Sequence, residues 1–302
     1  AWANTPPAHG SAWPGLGSGS SAAEVNESLE LGPELQRGAS PKQLLQERRK
    51  LDQALDGLQR QRRGIVDAYV VTIALDSDPV FAREAREAGR VLSRRYNANG
   101  RTMVLAGPDG IEDNHPKGSI TSLMISLARI AELMDPSEDV LVLYTTSHGA
   151  PEGLAYHYGD TGFGILSPRR LSNAFEELGF DRRILLISAC YSGAFIPALA
   201  SENTAILTAS AANRTSFGCQ PDNDWTFFGD ALINRALRKP QPLAAASQEA
   251  NLSIVDWESR KLLLASLPQT HLGDKVEQWL PALEARIPRS ASRPVGKPAF
   301  TE

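Results

Sequence analysis

The sequence predicts an α/β fold: a three-layer α/β/α sandwich with a mostly parallel central sheet. Two observations carry that expectation. Between residues 65 and 272, short apolar runs of strand length alternate with longer charged, amphipathic segments. The short runs are mostly apolar, as strands covered on both faces must be. Hydrophobic residues make up 42% of the 302, which is enough to fill such a core.

The elements follow in order. Residues 1–41 are rich in Gly, Ser, Pro and Ala, and the stretch Gly15 to Ser21 (GLGSGSS) resembles a linker. This leader is expected to be disordered or loosely attached. A charged leader helix should fill residues 42–63, with Ser40 as its N-cap and Pro41 in its first turn. The α/β domain is expected over residues 64–290 and a tail over 291–302. Within the domain, Val66 to Leu75 (VDAYVVTIAL) is a β-branched strand, Pro79 to Tyr96 a helix and Arg101 to Ala106 a short strand. Ser119 to Met134 is a helix with apolar residues at Leu123, Leu127, Ile130 and Leu133. Val140 to Thr145 is a buried strand, Pro168 to Leu178 a helix and Arg183 to Ala189 a second buried strand. A short helix near Phe195, a strand over Thr204 to Ser210, two helices to Leu264 and an extended piece to Leu272 complete the reading.

Bulk properties remove several functions. The net charge is −4, so no basic excess exists to neutralise a nucleic-acid backbone. No run approaches the roughly 18 apolar residues that a membrane span needs. Two cysteines are too few for a disulfide framework, and no His/Cys/Asp group has metal-ligand spacing, so no cofactor is expected. Gly159 to Gly164 (GDTGFG) is glycine-rich but lacks the Lys-Ser/Thr ending of a phosphate loop. The chain begins with Ala rather than Met, which, with the linker-like leader, favours an extracytoplasmic protein, periplasmic or tethered through a removed segment.

Two residues stand where a parallel sheet places its chemistry, just beyond the carboxyl ends of strands. His148 and Gly149 follow the run ending at Thr145, and Cys190 follows the run ending at Ala189. One helix separates the two strands, so they can be parallel neighbours, with both side chains at one sheet edge. A thiol attacks as its thiolate, and an imidazole can supply the activation. Gly149 leaves room and offers a backbone N–H for an oxyanion. Either residue alone is commonly structural: a cysteine after a buried strand is often an inert small hydrophobe. His157, between two tyrosines, borders the same region or decorates a loop, and His9 and His271 carry no functional reading.

The blocks Thr146-Ser147-His148-Gly149 and Ser188-Ala189-Cys190-Tyr191-Ser192-Gly193 resemble the His-Gly and Ala-Cys-x-Ser-Gly blocks of the peptidase C13 (legumain-like) family, in its shorter bacterial-type branch. The resemblance covers about residues 65–240. It implies a caspase/legumain-like fold and a cysteine endopeptidase acting on peptide or protein substrates, with Cys190 as nucleophile and His148 as acid/base. A transpeptidase using the same dyad, or a non-catalytic peptide-binding member, are the alternatives. A third reading pairs Cys190 with Cys219 in a reversible disulfide. By the same resemblance, Ser188, Ala189, Ser210, Ala211, Ser216 and Asp230 contribute to substrate binding.

Two departures from the family's pattern stand out, the first bearing on ligation and the second on specificity. Ser147 stands where the family's legumains carry an acid before the histidine. The loop after the first strand, Asp76-Ser77-Asp78-Pro79, lacks their Arg-His pair for an asparagine amide. With Asp76 and Asp230, that loop would suit a basic side chain. Equally, Asp76 and Asp78 suit a turn and an N-cap ahead of Pro79. The leader either shields the site as a propeptide or merely connects the domain.

Overall fold

The structure is a computed structural model that describes residues 5–108 and 115–301. The leader forms helix α1 (Ala22–Glu30), strand β1 (Glu34–Gln36) and helix α2 (Pro41–Asp56). There follow β2 (Ala68–Ala74), α3 (Pro79–Arg95), β3 (Thr102–Leu105), α4 (Ile120–Leu133) and β4 (Val140–Thr146). Three short strands come next, β5 (Gly149–Ala150), β6 (Gly153–Tyr158) and β7 (Gly162–Leu166). Then come α5 (Pro168–Leu178), β8 (Arg183–Ser188), α6 (Ile196–Leu199), β9 (Thr204–Thr208), α7 (Leu243–Arg260), β10 (Gln269–Leu272) and α8 (Val276–Glu284).

The main sheet has the order β10-β9-β8-β4-β2-β3. All its pairings are parallel except that of β10 with β9. Side chains alternate between two cores, as the period of two in a strand requires. Val70, Val142, Tyr144, Leu186 and Leu207 face α3, α7 and α8. Val71, Ile73, Leu143, Leu185 and Ile187 face α4 and α5. These strands are buried at every position, the three-layer sandwich their composition predicts. Truncating one of them, Leu143→Ala for instance, costs about 2–5 kcal/mol through the cavity it leaves.

Helix starts are fixed locally. Ser40 and Gln43 form a capping box, Ser119 and Ser122 another, and Ser167 caps α5 ahead of Pro168. Pro79 opens α3 in the same way, but Asp78 at its N-cap makes no side-chain cap bond, so its carboxylate is available for another partner.

Three expectations need correction. The leader is not loosely attached: β1 pairs antiparallel with β7, and Ser167 Oγ donates to Glu30 O. Composition hid this because a low-apolar segment can be held by backbone pairing to an existing edge. The leader helix stops at Asp56 with Gly57 as its C-cap, not at Arg63. The region after His148 is a second sheet, ordered β1-β7-β6-β5, whose glycines masked its alternation. Its β6 meets the end of β2 through His157, whose N–H donates to Leu75 O at 2.9 Å and whose carbonyl accepts from Ser77 N at 2.9 Å.

Candidate active site

β4 and β8 are parallel neighbours, with Thr146 opposite Ser188. The ladder continues one step beyond the strands, Ser147 N–H donating to Ser188 O at 3.2 Å. His148 and Cys190 therefore leave the sheet at the same carboxyl edge. Below them lies Glu84 of α3, fully buried. Tyr144 OH donates to it, as do Thr146 Oγ1 at 2.9 Å and Thr226 N at 2.8 Å. Thr226 Oγ1 in turn bonds Ser188 Oγ at 3.1 Å. One carboxylate thus ties the end of β4 to the end of β8. Burial raises its pKa, against those hydrogen bonds.

Beyond β8 the chain turns sharply. Tyr191 sits at φ 59°, a left-handed conformation that costs a bulky residue energy and is held by its N–H to Arg214 O at 2.8 Å. Gly193 N–H donates to Ser210 O, Ser192 N–H to Ser210 Oγ, and Ser210 Oγ to Ala189 O, which locks the turn. Gly149 has no room for a side chain: a Cβ there would lie 2.1 Å from Cys190 O. Only glycine lets the two strand ends approach so closely.

Cys190 Sγ accepts the Ser216 N–H at 3.2 Å and has Ser216 Oγ at 3.6 Å. Its pKa is pushed down to about 6. The Cys219 thiol hydrogen bond is the largest cause, opposed by burial and aided by Ser216 and the His148 charge. Cys219, as the donor, is pushed well above the ordinary thiol range. The His148 ring lies edge-on to Phe81, and its Nε2 meets Asp78 Oδ2 at 3.2 Å. Burial works against its charge, but the Asp78 hydrogen bond and the charges of Asp76, Asp78 and Cys190 outweigh it and raise its pKa. Asp78 is lowered in turn, chiefly by the same hydrogen bond. No hydrogen bond joins imidazole and thiol; they interact through their charges.

The sequence-named residues divide. Gly149, Ser188, Ala189, Ser210, Ala211 and Ser216 surround the Cys190 turn. Ala211 N–H donates to Ser266 O, so its contribution is to backbone shape. Asp230 does not join them. It lies buried on the α3 and α7 side, holding Arg235 at 3.1 Å, Asn234 Nδ2 at 2.8 Å and Ala299 N at 2.9 Å. Those partners leave its carboxylate nothing for a substrate. Asp76 does form the turn, its Oδ1 accepting Asp78 N–H at 2.8 Å. Asp78, however, turns away from α3 towards His148.

The arrangement also recruits residues with no sequence signal. His9, from the leader, places Nε2 2.9 Å from Asp76 Oδ1 and stacks on His157 with ring centroids 3.5 Å apart. His9, Asp76 and His157 form one group of donor atoms within 4.8 Å, and Asp76, Asp78 and His148 another. Either set has the chemistry to hold a metal ion. The first fits poorly, because two rings stacked at an interplanar angle of 14° cannot aim their in-plane nitrogens at a common ion without splaying.

A thiol and an imidazole at adjacent ends of a parallel sheet, the first with a lowered pKa and the second with a raised one, define the class of cysteine-peptidase-type α/β proteins. Residues 118–273, more than half of the chain, match the peptidase C13 family, and the chain belongs to that family. The match takes in His148 and Cys190 but not the Asp76 loop. Among solved structures the chain is similar to caspase-1 from Spodoptera frugiperda, at 16% identity and a TM-score of 0.46. That alignment covers 71% of this chain and 88% of that one. It is also similar to pro-Sf-caspase-1, at 13% identity and a TM-score of 0.43, over 70% and 88%. No curated protein matches it.

Proposed function

We propose that the chain is a cysteine endopeptidase. The observation that supports this most is the convergence of Cys190 and His148 at the ends of adjacent strands, with Ser216 N–H on the sulfur and Asp78 on the imidazole. The thiolate adds to the carbonyl carbon of a peptide bond and the carbonyl oxygen takes the electron pair. With Nε2 engaged by Asp78, Nδ1 of His148 is the nitrogen left to protonate the leaving amine. The carbon–nitrogen bond breaks and leaves a thioester on Cys190. Water then gives a proton to the imidazole and attacks the thioester, releasing the acid and restoring the thiolate.

The reading is tested by incubating the full chain with a pooled peptide library and identifying products by mass spectrometry. Cys190→Ala is expected to lose at least about a thousandfold in cleavage, as nucleophile removal does in other thiol and serine enzymes. Cleavage unchanged in that variant removes Cys190 from the chemistry.

A further inference from the structure

The geometry points to Asp76 and Asp78 as a subsite for a basic side chain of the peptide substrate, occupied here by His9 of the chain's own leader. This rests on the peptidase reading above and names its substrate class. Asp76 has a fully buried side chain, yet no arginine or lysine pairs with it or with Asp78 among the described residues. Its Oδ2 has no hydrogen-bond partner among the described residues, His157 Nδ1 standing 3.8 Å away. A buried carboxylate left half-satisfied is costly, so it marks a place where a donor is meant to arrive.

The donor that does arrive comes from 67 residues away. His9 Nε2 lies 2.9 Å from Asp76 and 3.6 Å from Asp78, bridging the two carboxylates. The segment around it is bound as a peptide ligand would be. It carries no helix or strand from residue 5 to residue 20. Pro7 O accepts from Ser77 Oγ at 2.8 Å, and the N–H groups of Gly10 and Ser11 donate to Asp160. Trp13 covers His157 and Phe163 edge-on. An imidazole brings one donor to a site with two acceptors. A guanidinium carries five donors in a planar fork and a permanent charge, so an arginine would satisfy both carboxylates and displace His9. Asp78 also holds His148, which brings the subsite against the acid/base residue.

The test uses four fluorogenic peptides differing only in Arg, Lys, Asn or Ala before the scissile bond, with the wild-type full chain, His9→Ala and His9→Lys. His9→Ala is expected to cleave the Arg peptide at least about tenfold better than the Ala peptide in kcat/KM, the scale of a charge-assisted pair. His9→Lys, which refills the subsite more strongly, should fall below His9→Ala on the Arg peptide. Asp76→Asn in the His9→Ala background should erase the Arg preference, bringing the ratio of kcat/KM for the Arg and Ala peptides to about one whatever the absolute rates. His9→Lys keeps the test open if Asp76→Asn fails to fold. Binding is measured in parallel by fluorescence anisotropy of labelled Arg and Ala peptides on His9→Ala/Cys190→Ala. Cleavage with equal rates for Arg, Asn and Ala overturns the subsite and leaves the peptidase. Preferential binding of the Arg peptide without cleavage of any peptide keeps the subsite and overturns the peptidase. Neither cleavage nor preferential binding overturns both.

Discussion

Cys190 and Cys219 differ in environment more than in chemistry. The first accepts hydrogen bonds from a thiol and a backbone N–H, and the second keeps its proton as the donor, so one thiol is acidic and the other inert. Alkylation of Cys190 by iodoacetamide should therefore rise through a midpoint near pH 6, since the reactive thiolate exists above its pKa. Cys219→Ala removes the largest cause of that shift and should move the midpoint towards the ordinary value near about 8.5, whereas Cys219→Ser retains a donor and should move it less. Quantifying labelled Cys190 by mass spectrometry from pH 4.5 to 9.5 checks this, and an unmoved midpoint in Cys219→Ala would show that Ser216 and His148 suffice. Gly149 answers to sterics instead of charge. A methyl at 2.1 Å from Cys190 O must push the two strand ends apart. Displacements of about 1 Å at a reacting group cost on the order of a hundredfold. Gly149→Ala should lose at least that in kcat/KM while keeping the wild-type circular dichroism spectrum. Full activity in that variant would mean that the His148 and Cys190 turns separate without consequence.

The strands and the crossover helices were legible because burial on both faces writes itself into composition: β2, β4 and β8 are buried at every step and mostly apolar, and that also located His148 and Cys190 at their ends. The small sheet was less legible. Its strands are short, three of its glycines lie in β6 and β7, and one member, β1, comes from a segment whose own residues give no strand signal. Asp76 and Asp78 could be read from sequence only as a pair of turn residues. Which one accepts the turn N–H and which one reaches His148 depends on where β4 ends, a tertiary fact. His9 was invisible for the same reason. The leader's attachment through His9 carries a pH dependence. The Asp76 hydrogen bond raises the His9 pKa above 6.5, against burial, with the charges of Asp76 and Asp78 adding to it. Facing it are those two carboxylates and the stacked His157, which burial and the His9 charge keep below its ordinary value. A raised pKa stabilises the docked state fully below the ordinary value and loses that contribution as pH rises through the raised one. Amide exchange over residues 5–14, corrected for intrinsic rate, should be slower at pH 5.5 than at pH 8.5, the direction the raised His9 pKa sets. His9→Lys, charged throughout that range, should stay slow at both. Equal protection of the wild type at both pH values would place the hold on Pro7, Gly10 and Ser11 alone.

At the scale of the molecule, both termini are straps, but they cross different sides. The leader lies on the small sheet beside Asp76 and His157, whereas the C-terminal segment lies over α7 and the α3 side. Its contacts are specific: Val295 O accepts the Trp225 indole N–H at 2.8 Å, Val295 N–H donates to Asn234 Oδ1 at 2.9 Å, and Ala299 N–H donates to Asp230. Phe300 stacks on Trp257 with rings 3° from parallel. Asp230, which the family resemblance suggested for substrate, is therefore part of this clasp. Removing residues 291–302 strips partners from a buried indole, amide and carboxylate and uncovers an aromatic face. Each unsatisfied group costs about 1–3 kcal/mol, reduced where water can enter the opened groove, so the loss should total about 2–4 kcal/mol. For a chain of this size that is roughly 3–6 °C in Tm. The truncated protein, assayed well below its midpoint, should keep kcat within about twofold, because the clasp bears on the face of the sheet away from the leader. A calorimetric scan paired with a peptide assay separates the possibilities. An unchanged Tm would mean that the clasp adds nothing to the fold, whereas a preserved Tm with lost activity would mean that Trp225 transmits the clasp, through Thr226 and Ser188, to the Cys190 turn.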